Sequence, residues 1–278
     1  MPDLRFVIVD VFTDRPLAGN QLAVFTDARG VDDTTMQDLA RETGFSETTF
    51  VLPPEAGGTA RIRIFNPVHE MPFAGHPVLG TAFVLAGPLQ RGEVTLETGV
   101  GPVGVTLDRD DSGRIVFGRM LQPVPEVRVL PASDTLLRAL DVGRSLLPVE
   151  VYDNGATHAF VVLGSAEEVA ALEPDLESVA AFDLTGVNCV ARDGSGWKMR
   201  MFWAHGEDAA TGSAAGPLAC HLCRHGLVEW GAEIEISQGA EIGRASTLFA
   251  RAEGRDDVIE AVHCGGSAVV VARGEFRF

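Results

Sequence analysis

Two stretches of the chain place an acid, small residues and an apolar segment in the same order. The first, EMPFAGHPVLGTAFVLAG, runs from Glu70 to Gly87, and the second, EDAATGSAAGPLACHLCRHG, runs from Glu207 to Gly226. Glycine and other small residues permit close approach to the backbone, and the first turn of a following helix presents unpaired N–H groups. Two such helix starts predict a cradle for an anion.

Side chains that can move protons accompany both stretches. His76 lies in the first, and Asp208 and Ser213 lie in the second. A further acid, Glu47, begins the apolar strand ETTFVL directly after a predicted helix end. A carboxylate partly removed from water gains proton affinity, which suits a base that takes a proton from carbon near neutral pH. We therefore predict Glu47 as the catalytic base; the plainer alternatives are a solvated surface Glu47 and a helix-capping Asp208.

Motifs for other chemistries are missing from the sequence. It contains no G-x-x-x-x-G-K-[ST] loop, no H-E-x-x-H and no G-x-S-x-G, and no G-x-G-x-x-G directly follows the first strand. Cys220, His221, Cys223 and His225 crowd onto one predicted helix, where they could hardly close around one zinc ion. We predict a reaction that uses neither cofactor nor metal.

Composition narrows the class of protein and of partner. The chain has 278 residues and is 46% hydrophobic, enough for two domains of ordinary size. Its formal net charge of -17 argues against nucleic acid and anionic membranes as partners. No run reaches the roughly 18 to 20 apolar residues of a membrane span, and the first residues do not resemble a secretion signal. Four cysteines are too few for a disulfide framework, so a cytoplasmic location is expected.

Short β-rich runs bounded by Gly, Pro and Asp dominate the chain and predict curved antiparallel sheets or barrels. DDTTMQDLARETG predicts an amphipathic helix that ends at Gly44, whereas residues 81–86 and 214–225 predict one fully buried helix in each half. The proline-rich joint RMLQPVPEVRVLPASD divides the chain into predicted domains 1–122 and 123–278, with the last strand a candidate to cross back. The predicted class is α+β.

Five motifs in order resemble the PhzF family of phenazine-biosynthesis isomerases, which has the diaminopimelate-epimerase fold. They are VDVFTDRPLAGNQLAVF, ARETGFSETTFV, RIFNPVHEMPFAGHPVLGTA, EDAATGSAAGPLACHL and EISQGAEIGRAS. The resemblance covers essentially the whole chain. It implies two similar domains, each a barrel-like, mostly antiparallel sheet around a central helix, with the site in the cleft between them. It also implies a homodimer.

The resemblance assigns roles to single residues. Glu47 matches the family's catalytic glutamate, and His76 and Asp208 match residues that contact the substrate and assist proton movement. The positions that match substrate-holding residues are Asn20, Ser46, Gly75, Gly212 and Ser213. The implied reaction converts a small cyclic amino acid, trans-2,3-dihydro-3-hydroxyanthranilate, to an aminoketone by Glu-mediated proton transfer.

Three departures from the family pattern keep alternatives open. Asn66 stands where the family has Thr, Gln21 replaces a Pro, and the segment before Glu207 is several residues shorter. The short segment puts the substrate in doubt more than the reaction type. An isomerase or epimerase of another small amino or hydroxy acid is the second hypothesis, and a non-catalytic binding protein on the same fold is the third.

Overall fold

The computed structural model describes residues 4–204 and 206–277. Contacts divide the chain into two units, one formed by residues up to 121 together with those from 265 onward, the other by residues 122–264. Each unit combines a sheet with helices, so the α+β prediction is confirmed. None of the helices in these described ranges is both long and apolar enough to cross a membrane.

The first unit is built on a mixed sheet. Its strands are β1 (Leu4–Val11), β2 (Asn20–Phe25), β3 (Glu47–Leu52), β4 (Ala60–Phe65), β5 (Glu70–Met71), β6 (Glu93–Thr98), β7 (Gly101–Arg109) and β8 (Ile115–Gln122), with β18 (Ala268–Phe276) from the end of the chain. β1 runs antiparallel to β2 and β18, β2 is parallel to β3, and β3 is antiparallel to β4. β4 is parallel to β6, which continues antiparallel through β7 to β8.

The second unit has its own strands. They are β9 (Glu126–Val129), β10 (Glu150–Asp153), β11 (Thr157–Val162), β12 (Gly186–Asp193), β13 (Gly196–Trp203), β14 (Gly206–Asp208), β15 (Glu233–Gln238), β16 (Ser246–Arg255) and β17 (Val258–Gly266). β10 is antiparallel to β9 and β11, β11 is parallel to β12, and β12 is antiparallel to β13. β13 is parallel to β15, and β15 is antiparallel to β16.

The two units repeat one order of strand pairing. In each, an antiparallel pair is followed by a parallel step, a second antiparallel pair, a second parallel step and a third antiparallel pair. The short strands β5 and β14 occupy equivalent places, antiparallel to β4 and β13. The weak sequence repeat therefore corresponds to a duplicated topology.

The helices are α1 (Asp33–Thr43), α2 (Gly75–Leu89), α3 (Ser133–Ala139), α4 (Ala166–Ala170), α5 (Leu176–Ala180) and α6 (Gly212–Arg224), with a 3-10 turn at Ala240–Ile242. α1 follows its sequence signals. Asp32 Oδ1 accepts a hydrogen bond from Thr35 N at 2.9 Å, and Gly44 closes the helix with φ of 66°. Its apolar face packs beneath Phe25 and Phe50, whose rings stack at 4.8 Å.

The two central helices are α2 and α6, which follow β5 and β14. Residues 75–83 of α2 and 212–223 of α6 are buried, so neither helix needs a polar face. Close packing explains a glycine in the middle of α2. A Cβ on Gly80 would lie 2.7 Å from Val11 Cγ2 and 2.8 Å from Leu22 Cδ2. The predicted buried helices are confirmed, although α2 begins at Gly75, six residues before the predicted start.

Candidate active site

Both central helices begin without a capping side chain. The N-cap residues are Ala74 for α2 and Thr211 for α6, and neither side chain accepts a hydrogen bond from the first turn. Neither first turn contains an acid. The helices α1, α4 and α5 begin instead at a capping Asp or Ser. The starts of α2 and α6 thus keep the positive end of the helix dipole uncompensated by their own side chains.

Five of the predicted site residues meet at the start of α2. His76, the second residue of the helix, lies with Nδ1 at 3.2 Å from Asn20 Nδ2 and with Nε2 at 3.4 Å from Glu47 Oε2. Ser46 Oγ donates to Asn20 Oδ1 at 3.1 Å. The parallel pairing of β2 with β3 brings Asn20 and Glu47 to the same edge, since both residues begin their strands. The helix start supplies Gly75 and His76.

His76 is an uncharged neighbour for Glu47. Burial lowers the pKa of His76 to about 3, against the opposing effect of a hydrogen bond with the Gln21 backbone. The imidazole is therefore neutral at neutral pH. Its Nε2 is buried and makes no hydrogen bond to any residue that the structure describes. Glu47 keeps a side chain that is 17% exposed, so a ligand can reach the pair.

A second group forms around Asp208 at the end of β14. Thr211 Oγ1 donates to Asp208 Oδ2 at 2.7 Å. Gln238 holds the loop between these two residues through three hydrogen bonds, each at 2.9 Å. Its Nε2 donates to Asp208 O and to Thr211 Oγ1, and its Oε1 accepts from Thr211 N. No local signal in the sequence pointed to Thr211 or Gln238. They hold the loop that leads from Asp208 to the helix start.

Ser213 stands on the first turn of α6, and both its hydroxyl and its carbonyl have side-chain partners. Its Oγ lies 2.9 Å from His158 Nε2. Pro217 has no N–H, so the Ser213 carbonyl lacks its usual helical donor, and Asn154 Nδ2 supplies one at 3.0 Å. Gln122 Nε2 donates to Gly212 O at 2.8 Å. Pro217 signalled a carbonyl that needs an outside donor, but nothing local in the sequence named Asn154 or His158 as partners.

Two acids near the helix starts form ion pairs with arginines. Glu70 takes a bidentate ion pair from Arg63, with Nε–Oε1 at 2.7 Å and Nη2–Oε2 at 2.5 Å. Glu207 takes the same from Arg200, at 3.0 Å and 2.6 Å. Both carboxylates are thus structural partners, whereas Glu47 faces the neutral His76.

The thiols and histidines of α6 do not form a common cluster. Burial raises the pKa of Cys220 to about 12 and that of Cys223 to about 11, so both stay as thiols. His221 and His225 instead lie on Glu150 Oε2, at 3.2 Å and 3.1 Å.

Glu150 already has a cationic partner, Arg224. Arg224 donates to the same Oε2 at 2.8 Å, as does Tyr152 at 3.0 Å. Burial tends to raise the pKa of Glu150, but hydrogen bonds from the two histidines and Tyr152 and the charge of Arg224 lower it to about 2. Glu150, His221 and His225 are the group with metal-ligand spacing within the described ranges. The Arg224 guanidinium supplies a positive charge beside this carboxylate.

Comparison with known proteins assigns the family. The model of the phenazine biosynthesis-like proteins (PhzC-PhzF) matches residues 9–274. The chain belongs to this family. Within it, the trans-2,3-dihydro-3-hydroxyanthranilate isomerase of Pseudomonas chlororaphis is 48% identical over 273 residues, which cover 97% of this chain and 98% of that protein.

Solved structures agree on the fold of this PhzC-PhzF protein. A PhzF-family protein of Bacillus anthracis has a TM-score of 0.87 at 22% identity and covers 100% of both chains. A hydroxyproline epimerase from Agrobacterium vitis has a TM-score of 0.73 at 13% identity, covering 98% of this chain and 92% of that one. The predicted diaminopimelate-epimerase-like fold is confirmed. The curated relatives are isomerases, and this PhzC-PhzF protein is an isomerase.

Proposed function

We propose that the chain converts trans-2,3-dihydro-3-hydroxyanthranilate to an aminoketone in phenazine biosynthesis, with Glu47 as the proton carrier. The substrate is inferred from the relatives that carry this name at 47 to 48% identity over 97% of the chain. The observation that supports the chemistry is the 3.4 Å contact between Glu47 and a neutral His76.

The proposed reaction is a proton transfer within one molecule. Glu47 removes the proton from the ring carbon that bears the hydroxyl group and returns it to another ring carbon on the same face. The resulting enol then relaxes to the ketone, so substrate and product have the same composition. His76 contacts the substrate and assists this movement, and Asp208 does the same from the loop that Gln238 holds.

At each uncapped helix start, we propose that the first turn attracts an anionic group of the substrate. The first-turn amides that begin at Gly75 and Gly212 offer N–H groups and the positive end of a dipole to an anion. Asn20, Ser46 and Ser213 add polar side chains beside these amides. This arrangement suits a chain of net charge -17, because it attracts a carboxylate locally without added lysine or arginine.

The test follows the ultraviolet absorption of trans-2,3-dihydro-3-hydroxyanthranilate mixed with protein and no added cofactor. Wild type is expected to remove the conjugated absorption. Glu47→Gln keeps the size of the side chain but not its basicity, so we expect turnover to fall by about 10²- to 10⁴-fold with binding largely kept. Glu70→Gln is the matched control, because this carboxylate is held by Arg63.

Each result has a distinct meaning. Near wild-type turnover by Glu47→Gln would remove Glu47 as the base. An inert wild type would remove the proposed substrate and favour the second candidate, an isomerase or epimerase of another small amino or hydroxy acid, for which the short segment before Glu207 is the motivation. Amino and hydroxy acids would then be screened for exchange of a carbon-bound proton with deuterated solvent.

Assembly and location are also proposals. We infer a homodimer from the family resemblance, and sedimentation velocity should give a species of twice the mass of 29.5 kDa. A cytoplasmic location agrees with four buried free cysteines at positions 189, 220, 223 and 264. A monomer over the working concentration range would contradict the dimer.

A further inference from the structure

We propose that His158 is a positioning residue that turns the Ser213 hydroxyl into a hydrogen-bond donor toward the substrate. The inference rests on the proposed function, in which Ser213 contacts the substrate carboxylate. His158 lies on β11 and is fully buried. Its role follows from the polarity of a chain of hydrogen bonds that begins at Asn188.

The orientation of the Asn188 amide is fixed by a backbone carbonyl. Asn188 Nδ2 donates to Ala159 O at 3.2 Å. The opposite orientation would set the amide oxygen against that carbonyl oxygen, and two acceptors repel each other. The same Nδ2 lies 3.4 Å from His158 Nδ1. The facing nitrogen of the imidazole must therefore be the acceptor, without a proton.

The tautomer of His158 follows from the orientation of Asn188. Burial lowers the pKa of His158 to about 3, so the ring carries one proton at neutral pH. With Nδ1 as the acceptor, this proton is on Nε2. Nε2 lies 2.9 Å from Ser213 Oγ and donates to it. The imidazole consequently cannot accept the serine proton, which excludes an activated serine nucleophile of the kind that requires an adjacent base.

The Ser213 hydroxyl has His158 as its partner. Ser213 Oγ has no other hydrogen-bond partner in the described part of the chain. Asn154 fixes the Ser213 carbonyl and Gln122 fixes that of Gly212, so the backbone that carries the hydroxyl cannot turn easily. A hydroxyl that accepts from His158 keeps its own O–H for a ligand. It can then donate to a carboxylate, whereas the other tautomer would present oxygen lone pairs and repel one.

The experiment compares His158→Leu, His158→Gln and Ser213→Ala with the wild type. The measured quantities are KM and kcat for trans-2,3-dihydro-3-hydroxyanthranilate and the dissociation constant of anthranilate, a flat amino carboxylate. Loss of a hydrogen bond to a charged group predicts that KM and the dissociation constant rise about 10- to 100-fold in His158→Leu and Ser213→Ala, with a smaller change in kcat. His158→Gln retains an N–H donor and should recover most of the loss.

A double variant separates positioning from simple packing. In the Ser213→Ala background, His158→Leu should cause little further loss of anthranilate affinity, because the residue acts through Ser213. Equal losses in both backgrounds, or wild-type affinity in His158→Leu, would overturn the proposal. The melting temperature of each variant identifies loss of folding as a separate cause.

A spectroscopic measurement needs neither a variant nor the proposed substrate. Two-bond ¹H–¹⁵N correlation spectra of the wild type should show His158 as the neutral Nε2–H tautomer, unchanged between pH 6 and 8. An Nδ1–H tautomer or a charged ring would overturn the proposal. If the wild type were inert toward the substrate while this tautomer and the anthranilate results held, the substrate assignment would fail and the role of His158 would stand.

Discussion

The ion pair between Arg200 and Glu207 should carry an unusually large share of the stability of the second unit. Arg200 lies on β13 and Glu207 on β14, and their side chains are only 9% and 8% exposed. Arg200 Nη1 also donates to the carbonyls of Val169, Ala170 and Leu172, at 3.2 Å, 3.0 Å and 2.8 Å, at the end of α4. Burial tends to lower the pKa of Arg200, but hydrogen bonds to Glu207 raise it. The guanidinium therefore stays charged.

Glu207→Gln removes the negative charge and leaves the buried guanidinium with a neutral partner. Breaking a buried pair from one side costs about 3–5 kcal/mol, because an uncompensated charge remains away from water. The surface pair Asp27–Arg29 is the matched control. It is also bidentate, at 2.8 Å and 2.6 Å, but its side chains are 53% and 70% exposed. Asp27→Asn should cost only about 0–1 kcal/mol.

The assay is urea unfolding at pH 7, followed by circular dichroism and supported by thermal melting. At about 2–4 °C per kcal/mol, Glu207→Gln should lower the melting temperature by about 6–20 °C. Arg200→Met should lose at least as much, since three carbonyls lose a donor together with the charge. An unfolding free energy for Glu207→Gln within about 1 kcal/mol of wild type, no larger than the change in Asp27→Asn, would refute the reasoning.

Two further perturbations follow from the same structure. The pKa of Glu150 falls from 4.5 to about 2 on folding, so its charged form stabilises the protein above about pH 4.5. That contribution, on the order of 3 kcal/mol, is lost as the pH falls through 2. The difference in unfolding free energy between wild type and Glu150→Gln, measured by urea titration, should shrink as the pH falls from 4.5 to 2. A constant difference would contradict this prediction. Gly80→Ala should destabilise by about 1–3 kcal/mol through contact with the sheet. Gly87→Ala in the same helix meets no atom within 4 Å and should stabilise by up to about 1 kcal/mol, so equal effects would refute the packing argument.

Local signals predicted the helices well but misplaced some of their ends. Asp32 and Gly44 marked α1 correctly because capping depends on neighbours in the sequence. The start of α2 was wrong because GHPV reads as a loop, although Pro77 is tolerated in a first turn where its missing N–H has no partner in any case. SAEEVAALEPDLESVAAF forms two short helices, α4 and α5, because Pro174 interrupts the run.

In the candidate site, too, the sequence predicts some features and tertiary contacts decide others. Residue type and position in the sequence point to Glu47 and His76, and the structure brings Glu47 Oε2 and His76 Nε2 to 3.4 Å. Their chemical roles stay predictions. The state of His76 depended on its burial, which sequence does not supply, because the same imidazole titrates near its ordinary pKa when water surrounds it.

The sequence by itself determined the strand-rich class, the two buried helices and the acids and small residues at their starts, since these depend on periodicity and on local backbone chemistry. Only the tertiary structure decided the partners. His158 reaches Ser213 across 55 positions of sequence and Asn20 reaches His76 across 56. Parallel strand connections and helix packing bring these distant residues side by side. A local pattern of residues does not predict which of them will meet.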